Sequence, residues 1–284
     1  MKKVSIDGSN LKSYCELDIS GSKSESNRIL ILKSIFNNIK INNLSSSDDT
    51  SVLNHSLQNL NENIDVGHAG TSMRFLTAYL ATLENKKFII SGSDRMHQRP
   101  IGLLVDALNS LGFKVNYLNK RGFPPLEIIG SKNLHHEVVL KSHISSQFVS
   151  ALTLIAPSLD NGLRIILQDD ITSKPYINMT ISILNKIGVD ATFEKNLINV
   201  KPIKKINDII YDVESDWSSV SYFFSMVALT KNLKLSISNY KKESFQGDVN
   251  VCKYYETYGV KTVFEGNRLF INKDETKNIP KKIE

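Results

Sequence analysis

A chain of 284 residues, 41% hydrophobic and 23% charged, has the composition of a globular protein with apolar mass for one large domain or two smaller ones. No run approaches the eighteen or so apolar residues that a membrane-spanning helix needs, and Met1–Asp7 lacks the apolar stretch of a secretory leader. The net charge of +6 admits nucleic acid, anionic lipid or phosphorylated small molecules as partners. The two cysteines, Cys15 and Cys252, form no disulfide framework or metal-ligand spacing and fit a reducing cytosol.

Along the chain, short polar clusters open apolar helices. Ser22 and Glu25 have capping-box spacing ahead of a helix through Ile29, Leu32 and Phe36. Ala69-Gly70-Thr71-Ser72 precedes a second through Met73, Leu76 and Leu80. Pro100 opens a third, spaced Ile101, Leu104, Val105, Leu108 and Leu111 before Gly112. Ser145-Ser146-Gln147 opens a fourth, apolar on nearly every side up to Pro157. Ser173-Lys174-Pro175 opens a fifth, Asp216–Ser219 a sixth, and Gln246-Gly247-Asp248 a seventh running to Gly259. Between them lie short alternating runs at 86–90, 113–117, 163–167, 233–237 and 268–272, which read as strands with one wet face. Helices buried on most sides beside half-wet strands imply sheets outside and helices inside, in a repeated β-α unit. Residues 201–207 read as a surface connection, and 268–272 reads as a strand after which the chain stops at Pro280–Glu284 without closing any unit.

The lysines of the last segment read as solvated faces. The arginines lie instead at helix starts, in Asn27-Arg28, Met73-Arg74 and Asp94–Pro100, where exposed N–H groups and the positive dipole end favour anions. A single cap of this kind is usually structural, because Ser, Thr and Asp open helices everywhere. Four such ends beside Lys23, Arg28, Arg74 and Arg99 describe a pocket for a multiply anionic substrate. The sequence contains no G-x-x-x-x-G-K-[ST], G-x-G-x-x-G or H-E-x-x-H motif, and His135-His136-Glu137 reads as surface.

Gly21-Ser22-Lys23-Ser24-Glu25-Ser26-Asn27-Arg28 resembles the G-S-K-S-x-S-N-R signature of the 5-enolpyruvylshikimate-3-phosphate (EPSP) synthase family. Gly67–Arg74 is similar to that family's N-A-G-T-x-x-R element, and Arg95–Ile101 to its R-M-x-x-R-P-I. Ser145–Phe148, Ser173–Tyr176 and Gln246–Asp248 match further elements in the same order. The resemblance implies enolpyruvyl transfer from phosphoenolpyruvate to the 5-hydroxyl of shikimate 3-phosphate, without metal or organic cofactor, by a cytoplasmic monomer that binds neither nucleic acid nor membrane. It implies an inside-out α/β prism of β-α-β-α-β-β units in two domains. The first would be 20–212, and an incomplete second would be 1–19 with 213–284. By motif match, Lys23 touches both substrates, and Ser24 and Arg28 hold shikimate 3-phosphate. Ser145 and Ser146 take its phosphate, with Ser173 and Tyr176 completing that side. Gly70 and Arg99 receive phosphoenolpyruvate, and Gln147 lies between the ligands.

Two positions depart from the family pattern: His68 stands where asparagine is common, and Phe75 where many members have proline. The family's later aspartate, E-T-D-R-like and D-H-R-M-like segments have no match, and Asp274-Glu275-Thr276 reads as a strand-end turn. On this reading the chain is C-terminally truncated. The acid–base aspartate and lysine and two arginines would fall beyond Glu284, and the chain alone would not turn over. Apolar helix surface at 222–229 would lack partners. Two rival readings are a UDP-N-acetylglucosamine enolpyruvyl transferase and a non-catalytic anion- or RNA-binding module. The first calls for a reactive cysteine in a mobile loop, whereas Cys15 falls in a strand and Cys252 in a helix. The second calls for aromatics interleaved with a basic stripe, which is absent.

Overall fold

The computed structural model describes residues 12–140, 145–168 and 173–274. The expectations for Met1–Asp7 and Glu275-Thr276 lie outside those residues. In chain order the first elements are β1 (Tyr14–Leu17), α1 (Lys23–Ile35), β2 (Ile39–Asn42), α2 (Asp48–Gln58), β3 (Asn63–Asp65), α3 (Gly70–Ala81) and β4 (Lys87–Ser91). Next come α4 (Gly102–Ser110), β5 (Lys114–Tyr117), β6 (Leu126–Ile129), β7 (Glu137–Leu140), α5 (Ser146–Ile155), β8 (Leu163–Leu167) and α6 (Lys174–Lys186). The last are β9 (Ala191–Glu194), β10 (Leu197–Val200), β11 (Ile209–Asp212), α7 (Trp217–Leu229), β12 (Lys234–Ser238), α8 (Val251–Glu256), β13 (Val260–Glu265) and β14 (Arg268–Lys273). Among the described residues no helix is long and apolar enough to cross a membrane.

The chain divides into two compact units, one formed by 21–213 and the other by the flanking segments up to 20 and from 214. In the first, one plan occurs twice. The run β3-α3-β4-α4-β5-β6 folds into a sheet ordered β3-β4-β6-β5, and β7-α5-β8-α6-β9-β10 into one ordered β7-β8-β10-β9. In each sheet the first two strands are parallel, and the last strand inserts antiparallel between the second and third. A third, two-stranded sheet pairs β2 with β11 in parallel. Phe88 and Ile90 of β4 are buried, while Lys87 is exposed and Ile89 and Ser91 are half-buried, as a half-wet strand requires. The helices fill the interior: eleven of the twelve α3 residues are buried, and eight of the ten in α5.

The flanking unit repeats the plan once. Its sheet runs β1-β12-β14-β13, with β1 parallel to β12 and β14 antiparallel to both β12 and β13. The strand at Arg268–Lys273 therefore closes a four-stranded unit, contrary to the open end expected from sequence. Its Leu269 and Ile271 are buried with Trp217, Phe224, Leu235 and Tyr240, whose ring meets the Trp217 indole edge-on at 4.8 Å.

Two further corrections concern helices. The segment after Gln246 is a 3-10 turn, Gly247–Asn250, followed by the short α8, which ends at Glu256, three residues before Gly259. Helix α2 was not anticipated, although Ser47 caps Thr50 N and Asp48 and Asp49 occupy its first turn.

Candidate functional site

Within 21–213, four helices begin at the expected polar clusters. Ser22 Oγ accepts from Glu25 N at the start of α1, and Ser145 Oγ accepts from Gln147 N at the start of α5. The capping residues of α3 and α6, Ala69 and Ser173, make no side-chain cap bond. These two ends therefore present uncapped N–H groups.

At α3 the surroundings are cationic. A Cβ built on Gly70 would collide with the Arg99 guanidinium and come within 2.6 Å of its Cζ. The guanidinium thus lies directly on the backbone that opens the helix, and only glycine leaves it room. Behind it the buried Arg74 donates from Nη1 to Gly70 O at 2.8 Å and from Nη2 to Pro100 O at 3.3 Å, joining the first turn of α3 to the residue after Arg99. Burial, reinforced by the neighbouring Arg99 charge, lowers the Arg74 pKa to about 10. The adjoining loops are tied by Ser93 N to Gly67 O and by a 2.8 Å bond between Ser93 Oγ and His68 Nδ1. His68 thus links the two loops flanking Gly70 and Arg99.

At α1, Lys23 is exposed and pairs with the half-buried Asp49 of α2 at 3.5 Å, a long contact open to solvent on the lysine side and of small energetic weight. Sequence reasoning missed Asp49 because it missed α2; the run Ser47-Asp48-Asp49-Thr50 was the available signal. Ser24 is half-buried. Arg28 is 3% exposed and holds four protein acceptors: Ser24 O, Ser150 Oγ, Tyr176 O and Thr180 Oγ1, at 2.7–3.2 Å. Desolvation lowers its pKa to about 10, so it stays protonated at neutral pH. The Phe75 ring lies 5.6 Å from the Arg28 guanidinium and the exposed Tyr176 ring 5.8 Å from it. Phe75 therefore supplies an aromatic face to a buried cation. Arg74 in turn lies over Phe148 of α5 at 5.9 Å.

Candidates on α1, α5 and α6 are brought together through Arg28, and Gly70 with Arg99 form a second group. Phe75 and Phe148 interleave the two. A separate cavity of about 240 Å3, lined by Ser34, Tyr79, Glu84 and Asp160 among others, lies at the opposite helix ends. There the negative dipole ends and two carboxylates disfavour an anion.

In the flanking unit, a groove of about 680 Å3 runs past Trp217, Ser218, Tyr222 and Asp248 at the start of α7. Asp216 caps Ser219 N at 2.7 Å, and Ser218 donates to Asp248. Beneath it the buried Glu214 accepts from Trp217 Nε1, Lys241 N, Ser244 Oγ and Gln246 Nε2 at 2.5–3.3 Å. Gln246 Oε1 accepts from Trp217 N at 3.1 Å. In the Gln246-Gly247-Asp248 element, the glutamine is thus a buried brace for α7.

A family model described as EPSP synthase (3-phosphoshikimate 1-carboxyvinyltransferase) matches residues 61–283. Curated relatives named 3-phosphoshikimate 1-carboxyvinyltransferase include one from Bacteroides fragilis, 38% identical over 262 residues, covering 92% of this chain and 63% of the relative. Another, from Buchnera aphidicola subsp. Cinara cedri, is 33% identical over 290 residues, covering 92% and 66%. The chain spans 63% of the length of the first relatives it matches. Among solved structures, an EPSP synthase from Acinetobacter baumannii aligns with a TM-score of 0.73 at 17% identity, covering 92% of this chain and 64% of that one. That likeness shows the shared inside-out α/β fold.

Proposed function

The chain belongs to the EPSP synthase family, and on that premise we propose that it binds shikimate 3-phosphate and phosphoenolpyruvate for enolpyruvyl transfer to the 5-hydroxyl. In that transfer the 5-oxygen gives up its proton and bonds to C2 of the enol, while C3 takes a proton. Loss of a C3 proton then expels phosphate and restores the double bond. General acid and base groups carry these protons, and preorganised donors stabilise the tetrahedral centre.

In this reading 20–212 is the shikimate 3-phosphate domain, and 1–19 with 213–284 belong to a second. Lys23, released from Asp49, bridges the substrates. Ser145, Ser146, Ser24 and Tyr176 surround shikimate 3-phosphate with Ser173 and Arg28, and Gln147 lies between the ligands. Gly70 and Arg99 receive phosphoenolpyruvate. The protein works as a cytoplasmic monomer. The observation that carries the reading is the start of α3, where uncapped N–H groups meet Arg99 on Gly70 with Arg74 behind. Two cations crowding a positive dipole end are relieved by a bound phosphate. No observation favours a cysteine-dependent sister reaction: Cys252 sits in α8, and burial pushes its thiol up to about 11.

The test is a thermal-shift titration. Shikimate 3-phosphate is expected to stabilise the chain saturably, by about 2.7 kcal/mol at a hundredfold excess over Kd. Phosphoenolpyruvate adds a further shift that Arg99→Gln removes. A folded sample that shows no shift with either ligand contradicts the proposal.

A further inference from the structure

Three residues of the proposed shikimate 3-phosphate pocket stand one helical turn before three members of one buried network. Ser24 precedes Arg28 on α1, Ser146 precedes Ser150 on α5, and Tyr176 precedes Thr180 on α6, each by four residues. The second members are mutually bonded. Arg28 Nε donates to Thr180 Oγ1 at 2.8 Å and Nη2 to Ser150 Oγ at 3.0 Å, and Thr180 Oγ1 lies 3.0 Å from Ser150 Oγ. Arg28 also reaches back to the carbonyls of Ser24 and Tyr176. Ser150 and Thr180 are fully buried.

A guanidinium is a rigid planar fork with five N–H donors. Four of them hold protein acceptors here, leaving one on Nη1 without a partner among the described residues. Its plane fixes the separation of α1, α5 and α6 one turn below their open ends. A hydroxyl lost from this network leaves a buried N–H unsatisfied, and the helix ends above it drift apart.

We propose that Ser150 and Thr180 are positioning residues for shikimate 3-phosphate, acting through Arg28 to set the spacing of the three helix ends that grip it. This rests on the functional reading above. Arg28 accordingly serves the ligand by holding Ser24, Ser146 and Tyr176 in register as well as by direct contact through the one N–H that has no partner among the described residues.

The test is calorimetric titration of shikimate 3-phosphate into the full chain at a temperature where circular dichroism shows each variant folded, alongside melting temperatures. Thr180→Val, isosteric without the hydroxyl, and Ser150→Ala are each expected to weaken binding about tenfold. The double variant falls well short of the product of the two, because both act through one arginine. Thr180→Ser restores affinity to within about twofold of the native chain. A purely structural role would lower the melting temperature and leave affinity within about twofold, which would overturn the inference while the functional reading stands. A native chain that binds no shikimate 3-phosphate overturns both.

Discussion

Helices α3 and α7 occupy the same place in the repeated unit, yet eleven of the twelve residues of α3 are buried against four of the thirteen in α7. Tyr222 and Leu229 of α7 are 73% and 88% exposed. Both helices lead into a four-stranded sheet of the same order, so the sheet closes within one unit whereas the helix needs neighbouring units to be covered. Around α3, the strands β4 and β6 and the helices α1, α2, α4 and α5 supply that cover. Of the apolar surface expected without partners at 222–229, Tyr222, Met226 and Leu229 are exposed, whereas Phe224 and Val227 are buried in the core of their unit. The two regions also differ in the buried ion beneath the helix ends, which is the cation Arg28 in one and the carboxylate Glu214 in the other.

The sharpest break comes from removing either ion. Glu214→Ala strands the donors of Trp217, Ser244 and Gln246 and is expected to cost about 3–5 kcal/mol, read by urea unfolding. Arg28→Ala is expected to cost a similar amount and to weaken shikimate 3-phosphate binding as well, whereas Glu214→Ala spares the affinity of whatever remains folded. Along α7, Phe224→Ala is expected to cost about 3–5 kcal/mol, and Leu229→Lys to stay within about 0.5 kcal/mol while improving solubility. Equal costs at these two positions would mean that the open face of α7 is covered in solution.

Smaller effects sharpen the contrast. In Gly70→Ala the Arg99 side chain swings away from the new methyl. Stability should change by less than about 0.5 kcal/mol, while phosphoenolpyruvate affinity falls by about a factor of ten, measured by titration. Cys252 shows the weakest signal. Its folded thiol pKa lies above the unfolded value, so its contribution is complete below about pH 8.5 and is lost as pH rises toward 11. Iodoacetamide labelling of Cys252, followed by mass spectrometry, should be slow at pH 8 and climb about tenfold per pH unit up to that range.

Much of this architecture was legible because its signals are local. Caps such as Ser22 and Ser145, the stop at Gly112 and the alternation at 163–167 depend on neighbours a few residues away, and the six ordered motifs pointed to one family. Helix α2 went unread because its apolar positions, Val52, Leu53 and Leu57, are sparse and its polar start looked like loop. Ser150, Thr180 and Glu214 could not be read because hydroxyls and carboxylates mid-chain gain meaning only when distant helices meet. Ser150 and Thr180 reach Arg28 across 122 and 152 residues. The closing role of β14 was hidden likewise, since strand order is not written in a strand's own residues.

The most direct test of the central claim, that the helix ends of 21–213 read a phosphorylated ring, is calorimetric titration of the chain with shikimate 3-phosphate and with shikimate. Saturable binding of the phosphorylated ligand, with shikimate at least about a hundredfold weaker, is the expected result. Equal affinity for the two, or binding of neither by folded protein, would contradict it.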